Sequence, residues 1–227
     1  MKGTYYSVGA GPGDPELLTI KAIKTIQKAD IIAVPHSGAK DNAVMLITEE
    51  YIKGKDILYC DMPMTKDKAK VDKAHEESTT AIAKLLDEGK EVAFITLGDP
   101  SIYSTAMYIH QRLEKRGYET VMIAGVPSFC AVAAKLNTTL CEKSDMLHII
   151  PATYEDNKGA LMQKGNKVIM KSGKSINEVK TLISGETWAK AVECCGMPNE
   201  KIHNSLDTIE ADASYFCVVV VKEENND

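Results

Sequence analysis

The sequence predicts an α/β protein of two domains. Strand-like and helix-like hydrophobic patterns alternate along the first half of its 227 residues, which is typical of a mostly parallel sheet covered by helices. A second set of such segments follows the stretch "AGVPSF". The composition, 44% hydrophobic and 26% charged, is ordinary for a globular chain, and the length allows two cores. We expect domains over residues 1–125 and 126–227.

The elements of the first domain follow from short apolar runs and helical periods. Strands are expected at 4–8, 31–34, 57–60, 91–97 and 120–124. Helices are expected at 15–28, at 42–52, from the charged stretch 66–73 through residue 86, and at 102–115.

The second domain shows the same kinds of pattern. Strands are expected at 147–150, 167–170, 189–194 and 216–221, and helices after residue 127, near 155–163 and at 176–183. The last strand, "FCVVVV", is continuous and β-branched, so we expect both of its faces to be buried.

Charge and composition exclude several classes of protein. A net charge of −5 does not favour binding to nucleic acid or to an anionic membrane. No apolar run approaches the roughly 20 residues of a membrane span, and no signal-peptide pattern precedes the first strand, so we expect a cytoplasmic protein. The six cysteines lack metal-ligand spacing and predict buried, reduced thiols without a protein-bound metal, although the vicinal pair Cys194 and Cys195 leaves a redox device open.

Two stretches, "GAGPGDP" at 9–15 and "GDP" at 98–100, repeat one strand–turn–helix design. Asp14 suits a helix N-cap and Pro15 suits the first helical position, while the glycines allow close approach of another group. Helix capping alone would explain a single stretch of this kind. Because ligands of open α/β sheets bind beyond the carboxyl ends of strands, two such stretches at strand ends also predict a ligand site.

The first stretch does not match the common nucleotide-binding loops. Asp14 occupies the place of the third glycine in G-x-G-x-x-G, and no Lys-Ser or Lys-Thr follows, as a phosphate-binding loop would require. The stretch resembles the G-x-G-x-G loop of Rossmann-like methyltransferases. Those enzymes usually have an acidic residue after the second strand to hold a ribose, whereas Pro35 and His36 stand there in this chain. A Rossmann-type cofactor pocket is therefore disfavoured.

Four motifs in order resemble those of the tetrapyrrole methylases: "VGAGPGDPELLTIKAIKTIQKADIIAVP", "LGDPSIYST", "AGVPSFCAVAAKLN" and "ECCGMPNEKI". These are the methyltransferases of cobalamin and siroheme synthesis, which use S-adenosylmethionine but have a non-Rossmann fold. Within the family, "GDPSIYST", "HIIPATYED" and "VIMKSGKS" are most similar to the branch that methylates carbon 20 of precorrin-2 or cobalt-factor II.

The resemblance implies a homodimeric C-methyltransferase with two α/β domains, the cofactor S-adenosylmethionine in the interdomain cleft and a reduced tetrapyrrole in an adjacent trough. It implies no particular catalytic residue and no protein metal site. Carried over motif by motif, the cofactor-binding residues are Pro12, Leu97, Gly98, Asp99, Ile102, Pro127, Ser128, Met170, Lys171, Cys195, Gly196 and Met197. The residues on the substrate side are Gly13, Asp14, His36 and Tyr103.

The resemblance has departures and leaves alternatives open. Many relatives have Pro-Gly-Val-Ser-Ser where this chain has "AGVPS" at 124–128, so a hydroxyl role at Pro127 is lost and only backbone contacts remain. A helix cap is the favoured interpretation of Asp14 and a surface side chain that of His36, whereas core packing explains Tyr103 equally well. Methylation at another carbon or of another tetrapyrrole, and a noncatalytic ligand-binding α/β module, remain as alternative functions.

Overall fold

The structure, a computed structural model, describes residues 1–36, 42–152, 158–183 and 188–223. The chain divides into two compact units, Met1–Pro127 and Ser128–Asp227. Each unit contains one five-stranded sheet.

The first unit is a parallel sheet with helices on both faces. Its strands have the order β3-β2-β4-β1-β5, and every pair is parallel, which confirms the predicted parallel sheet. The strands are β1 (Tyr5–Gly9), β2 (Ile31–His36), β3 (Asp56–Asp61), β4 (Val92–Thr96) and β5 (Thr120–Ile123). The helices are α1 (Ile20–Lys28), α2 (Ala43–Ile52), α3 (Lys68–Asp87) and α4 (Ala106–Lys115).

The helices that follow the central strands β1 and β4 lie on opposite faces of this sheet. After β1 the chain enters α1, whose Ala22 and Ile26 are buried in one core cluster together with Val8. After β4 it enters α4, whose Ile109 is buried in another cluster together with Tyr5. Adjacent strands whose connections diverge in this way form a topological switch point, where open α/β sheets bind their ligands.

The first helix begins later than predicted. Asp14 accepts a hydrogen bond from Glu16 N–H at 2.9 Å, but it caps only a short 3₁₀ turn, Pro15–Leu17. Leu18 is extended, and Thr19 provides the cap of α1 by accepting from Ala22 N–H at 3.1 Å. The prediction that the helix starts at residue 15 was therefore wrong, because the Asp-Pro pair closes its own separate turn.

The helix after the second "GDP" stretch also begins later than predicted, at Ala106 instead of residue 102. Tyr103 has a φ of 48°, a left-handed conformation that interrupts a helix. Beyond it, Ser104 Oγ accepts from Ala106 N–H at 3.2 Å and satisfies one donor of the first helical turn.

The second unit has a mixed sheet with the order β6-β7-β10-β8-β9. Its β6 and β7 are parallel, whereas β10 is antiparallel to both β7 and β8, and β9 is antiparallel to β8. The strands are β6 (Leu147–Pro151), β7 (Asn166–Met170), β8 (Trp188–Glu193), β9 (Lys201–His203) and β10 (Cys217–Lys222). The helices are α5 (Ser128–Lys135), α6 (Lys158–Leu161) and α7 (Ile176–Leu182).

Three expectations for the second unit have distinct outcomes. The strand β10 is central and buried from Cys217 to Val221, which confirms the prediction for "CVVVV", whereas Phe216 precedes the strand and is exposed. The strand β9 was missed, since "KIH" is too short for a hydrophobic period. Of the helix predicted near 155–163, residues 153–157 lie outside the described residues, and the described part forms α6.

The cysteines depart in part from the prediction of buried thiols. All six are free, but Cys130 and Cys141 are exposed. Burial raises the pKa of the Cys60 thiol to about 12 and that of the Cys217 thiol to about 11, so both stay protonated at neutral pH. Among the described residues, no helix combines the length and hydrophobicity needed to cross a bilayer.

Candidate active site

The two "GDP" stretches lie side by side at the carboxyl ends of β1 and β4. We call residues 9–15 the β1 corner and residues 97–103 the β4 corner. Gly11 N–H donates to Gly98 O at 3.2 Å, and Gly98 N–H donates to Gly11 O at 2.7 Å. The amides of Gly11 and Gly98 therefore donate to each other's carbonyl oxygens and are not free to donate to a ligand.

Close backbone packing explains the glycines of the corners. A Cβ on Gly9 would lie 2.7 Å from Gly98 O and from Gly125 Cα, and a Cβ on Gly125 would lie 2.2 Å from Gly98 O. No side chain can be placed at such distances without moving backbone atoms. Three glycines from three strand ends thus form one contact, and the loop after β5 belongs to the same structure as both corners.

Asp99 joins the β4 corner to the loop after β5. Its Oδ2 accepts from Gly125 N–H at 2.8 Å, while Oδ1 accepts from Ser101 N–H at 2.8 Å and from the Ser101 hydroxyl. Both carboxylate oxygens are thus engaged within the protein, and the side chain is only 8% exposed. Asp99 therefore fixes the β4 corner against the loop after β5.

The substrate-side candidates of the first unit are spread along the same edge of the sheet. His36 ends β2 and is exposed, with its ring 6.0 Å from that of Tyr59. Tyr103, 47% exposed, borders a cavity of about 370 Å³ together with Met107, Tyr108 and Met122. Of the β1-corner candidates, Pro12 and Gly13 are buried and Asp14 is half-buried.

The candidates of the second unit gather at one edge of its sheet. Met170 ends β7, and Lys171 follows it with a φ of 58°. Cys195, Gly196 and Met197 follow β8, which runs in the same direction as β7 because both are antiparallel to β10. Ser128 begins α5, a helix that packs against β8 and β10.

Several polar partners were not apparent from the sequence. The missed residues are Gly125, which Asp99 holds, and the buried pair Glu193 and His203 at the end of β8 and β9. Glu193 had one visible signal, since a carboxylate directly follows the apolar part of a strand. His203 had none.

Three further histidines of the chain, His75, His110 and His148, have structural partners. Nδ1 of His110 lies 3.0 Å from Ser7 Oγ, and burial lowers the pKa of His110, so the ring is neutral at physiological pH. His75 stacks on Tyr108, and burial likewise lowers its pKa. His148 bonds the backbone oxygen of Lys164 at 2.8 Å.

The predicted cofactor segments of each unit present apolar side chains. Leu97 and Ile102 in the first unit are half-buried, as are Met170 and Met197 in the second, so each keeps some exposed apolar surface. Both carboxylate oxygens of Asp99 accept hydrogen bonds from within the first unit. Among the described residues, no group of three or more His, Cys, Asp or Glu side chains is placed to hold a metal ion.

Comparison with known proteins identifies the class. The fold matches solved methyltransferases: a cobalt precorrin-4 methyltransferase with a TM-score of 0.78 at 20% identity, covering 96% of this chain and 94% of the other. The uroporphyrin-III C-methyltransferase of Thermus thermophilus, complexed with S-adenosylhomocysteine, has a TM-score of 0.70 at 19% identity, covering 96% and 97%. The chain thus has the two-unit α/β fold of these solved enzymes.

The sequence comparisons define the family. The model of the Tetrapyrrole (Corrin/Porphyrin) Methylases matches residues 4–210. A probable cobalt-precorrin-2 C(20)-methyltransferase from Methanocaldococcus jannaschii is 39% identical over 96% of this chain and 95% of its own length. The chain belongs to the tetrapyrrole methylase family, which confirms the resemblance drawn from the four motifs.

Proposed function

We propose that this protein transfers a methyl group from S-adenosylmethionine to carbon 20 of precorrin-2 or of its cobalt complex in corrin synthesis. The observation that carries the proposal is the similarity, over nearly the whole length of both chains, to the Methanocaldococcus relative named for that reaction. The cobalt complex is the preferred form, because that relative is named for the cobalt substrate.

The cofactor proposal has separate support. A structural neighbour with the same fold is complexed with S-adenosylhomocysteine, the product that remains after methyl transfer. We assign the cofactor to the β4 corner with Pro12, Pro127 and Ser128 and, from the second unit, to Met170–Lys171 and Cys195–Met197. Half-buried Leu97, Ile102, Met170 and Met197 provide apolar surface for its adenosyl group.

The protein's contribution to the reaction is alignment and exclusion of water. When bound, the cofactor would supply a methyl group on a sulfonium sulfur: the electron-rich meso carbon of the substrate would bond to the methyl carbon in line as the sulfur–methyl bond breaks, S-adenosylhomocysteine would leave, and the meso carbon would then lose its proton. Well-oriented reactants reach effective molarities on the order of 10⁵–10⁸ M, so rigid positioning accounts for much of the rate. The Gly11–Gly98 bonds and the Asp99–Gly125 bond keep the two corners rigid for this purpose.

The substrate is assigned to the side of the first unit that carries Gly13, Asp14, His36 and Tyr103. The many carboxylates of the substrate must be bound by cationic groups close to the site, because the chain as a whole has a net charge of −5. Lys66, Lys68, Lys70 and Lys73 are exposed and provide cations near the start of α3.

Methyl transfer with an isotopic label tests the function. The protein is incubated with S-adenosylmethionine carrying a ¹³C-methyl group and with precorrin-2 or its cobalt complex, and the labelled carbon is located by NMR. We expect label at carbon 20, with faster transfer to the cobalt complex. Label at another carbon would contradict the assigned position, and no transfer to either substrate would contradict the function.

Calorimetry tests the cofactor independently. Heat of binding is expected with S-adenosylmethionine and with S-adenosylhomocysteine, but not with NAD. Binding of NAD alone would show that the corners serve a dinucleotide.

A further inference from the structure

A buried carboxylate lies at the edge of the second unit where the cofactor segments gather. Glu193 is the last residue of β8, directly before the Cys194–Met197 segment, and is 5% exposed. Its Oε1 lies 2.8 Å from Nε2 of His203, and its Oε2 accepts from Ser214 N–H at 2.7 Å. Both oxygens are thus bound within the unit.

The hydrogen-bond network joins Glu193 to His203 and, through the imidazole ring, to Thr208. Oε1 of Glu193 lies 2.8 Å from His203 Nε2, and His203 Nδ1 lies 3.1 Å from Thr208 Oγ1. Thr208 Oγ1 in turn donates to Ser205 O at 2.7 Å. The polar side-chain atoms of the buried pair therefore all have partners within the unit.

Ser214 belongs to a loop that leads into β10, and we call residues 213–217 the return loop. The return loop binds the segment that follows β8. Ser214 Oγ accepts from Cys194 Sγ at 3.3 Å, and Phe216 O accepts from Cys194 N–H at 3.3 Å. Cys194 itself has a φ of 50°, a strained conformation for this residue type that such bonds maintain.

The return loop also holds the segment that follows β7. Cys217 O accepts from Ser172 N–H at 3.3 Å and from Ser172 Oγ at 3.0 Å. A Cβ on Gly173 would lie 2.2 Å from Ser214 O, so the loop rests directly on that backbone. The ammonium of Lys171 lies 5.8 Å from the centre of the Tyr215 ring, within cation–π range.

We propose that Glu193 and His203 are positioning residues for the cofactor: His203 holds the carboxylate of Glu193, Glu193 anchors Ser214, and through the return loop the pair holds the segments 171–173 and 194–197 in binding geometry. This inference rests on the proposed use of S-adenosylmethionine. Neither residue needs to touch the cofactor. Glu193 and His203 thus hold neighbouring segments of the second unit in place, as Asp99 holds the β4 corner to the loop after β5.

The surroundings of the pair support a charged carboxylate. Burial by itself would raise the pKa of Glu193, but the Ser214 N–H bond, His203 and nearby Lys201 outweigh it and hold that pKa below its ordinary value. Cys217, also close to Glu193, keeps its thiol protonated because burial raises its pKa to about 11.

The experiment compares two truncations in the full-length protein, E193A and N166A. Asn166 is an equally buried polar residue at the opposite end of β7, where Nδ2 donates to Leu140 O at 2.8 Å and Oδ1 accepts from Glu223 N–H at 3.0 Å. Each variant is examined by calorimetry with S-adenosylmethionine and by hydrogen exchange without it. E193A should weaken binding by about tenfold or more, the equivalent of one lost hydrogen bond to a charged group.

Hydrogen exchange locates the effect. Without cofactor, E193A should speed exchange at 171–174, 194–197 and 213–217, whereas N166A should speed it near 145–147 and 166 and leave the affinity within about threefold of the wild type. The conservative variant E193Q should recover most of the affinity lost in E193A. Its amide oxygen can accept from Ser214 N–H, and its NH₂ can donate to a neutral His203.

Each experimental outcome has one interpretation. Unchanged exchange at the three segments in E193A, or an equal loss of affinity in N166A, would overturn the positioning role. A wild-type protein that binds no S-adenosylmethionine would contradict the proposed function instead, and the exchange pattern would still decide whether Glu193 anchors the return loop.

Discussion

The two units support their strand-end segments by different physical means. In the first unit, glycine backbones from three strand ends touch one another, and the contact allows no side chain at Gly9 or Gly125. In the second unit, the segments after β7 and β8 are bound by the return loop, which a buried Glu193–His203 pair holds in place. The first arrangement depends on shape, and the second depends on a buried charge and its hydrogen bonds.

This difference predicts which substitutions and which changes of pH each unit tolerates. A contact made by backbone atoms responds to added volume and is indifferent to pH. A contact made through a buried carboxylate responds to titration and to truncation. Asp99 is intermediate, because it is a carboxylate that secures a glycine contact.

The largest expected effect comes from adding one methyl group to the first unit. In G125A the new Cβ would meet Gly98 O at 2.2 Å and Gly9 backbone atoms at 2.9 Å, so the backbone must shift. We expect the free energy of unfolding to fall by about 3 kcal/mol, with weaker binding of S-adenosylmethionine. Urea denaturation measures the first quantity and calorimetry the second.

The matched control for G125A is G159A. No heavy atom lies within 4 Å of the Cβ position at Gly159, which is a helical glycine of α6. Alanine there should leave stability unchanged or raise it by up to about 1 kcal/mol. A G125A variant as stable as G159A would show that the three glycine backbones are not in tight contact.

A smaller effect is expected from the acidic residue of the β4 corner. D99A removes the acceptor of Gly125 N–H and both bonds of Ser101, and should cost about 2 kcal/mol of stability together with cofactor affinity. Its counterpart D14A removes one cap bond, to Glu16 N–H, and should cost about 1 kcal/mol or less. Equal losses of stability in D99A and D14A would contradict the larger structural role that we assign to Asp99.

The smallest effect is a pH dependence confined to the second unit. Because folding lowers the pKa of Glu193, its carboxylate stabilises the folded chain above the ordinary glutamate pKa of about 4.3, and that contribution is lost as the pH falls through the lowered value. The stability advantage of the wild type over E193Q should therefore be constant above this range and shrink in more acidic solution.

The measurement is the free energy of unfolding of both proteins from pH 7 down to the acid limit of folding. The difference between the wild type and G125A serves as the control and should not follow the same curve. An advantage of the wild type that stays constant in acid would contradict a charged Glu193 in the folded chain.

Most elements of the fold could be predicted from the sequence, because their signals are local. The parallel strands of the first unit, the buried run that became β10 and the position of both corners at strand ends were all apparent from hydrophobic pattern and turn residues. The helix starts were misjudged where Asp14-Pro15 closes its own 3₁₀ turn and where Tyr103 adopts a positive φ. These errors are local too, since capping and backbone conformation compete over a few residues.

The candidate site was predictable as a set of segments but not as a set of interactions. The sequence by itself determined the alternation of elements, the glycines at the corners and membership of the tetrapyrrole methylase family, because each is encoded in nearby residues. The tertiary structure alone decided that β10 runs antiparallel between β7 and β8. It also decided that Asp99 binds Gly125, 26 residues away, and that Glu193 binds Ser214, 21 residues away. Bonds of this kind depend on the path of the chain in space, which no local pattern of side chains specifies.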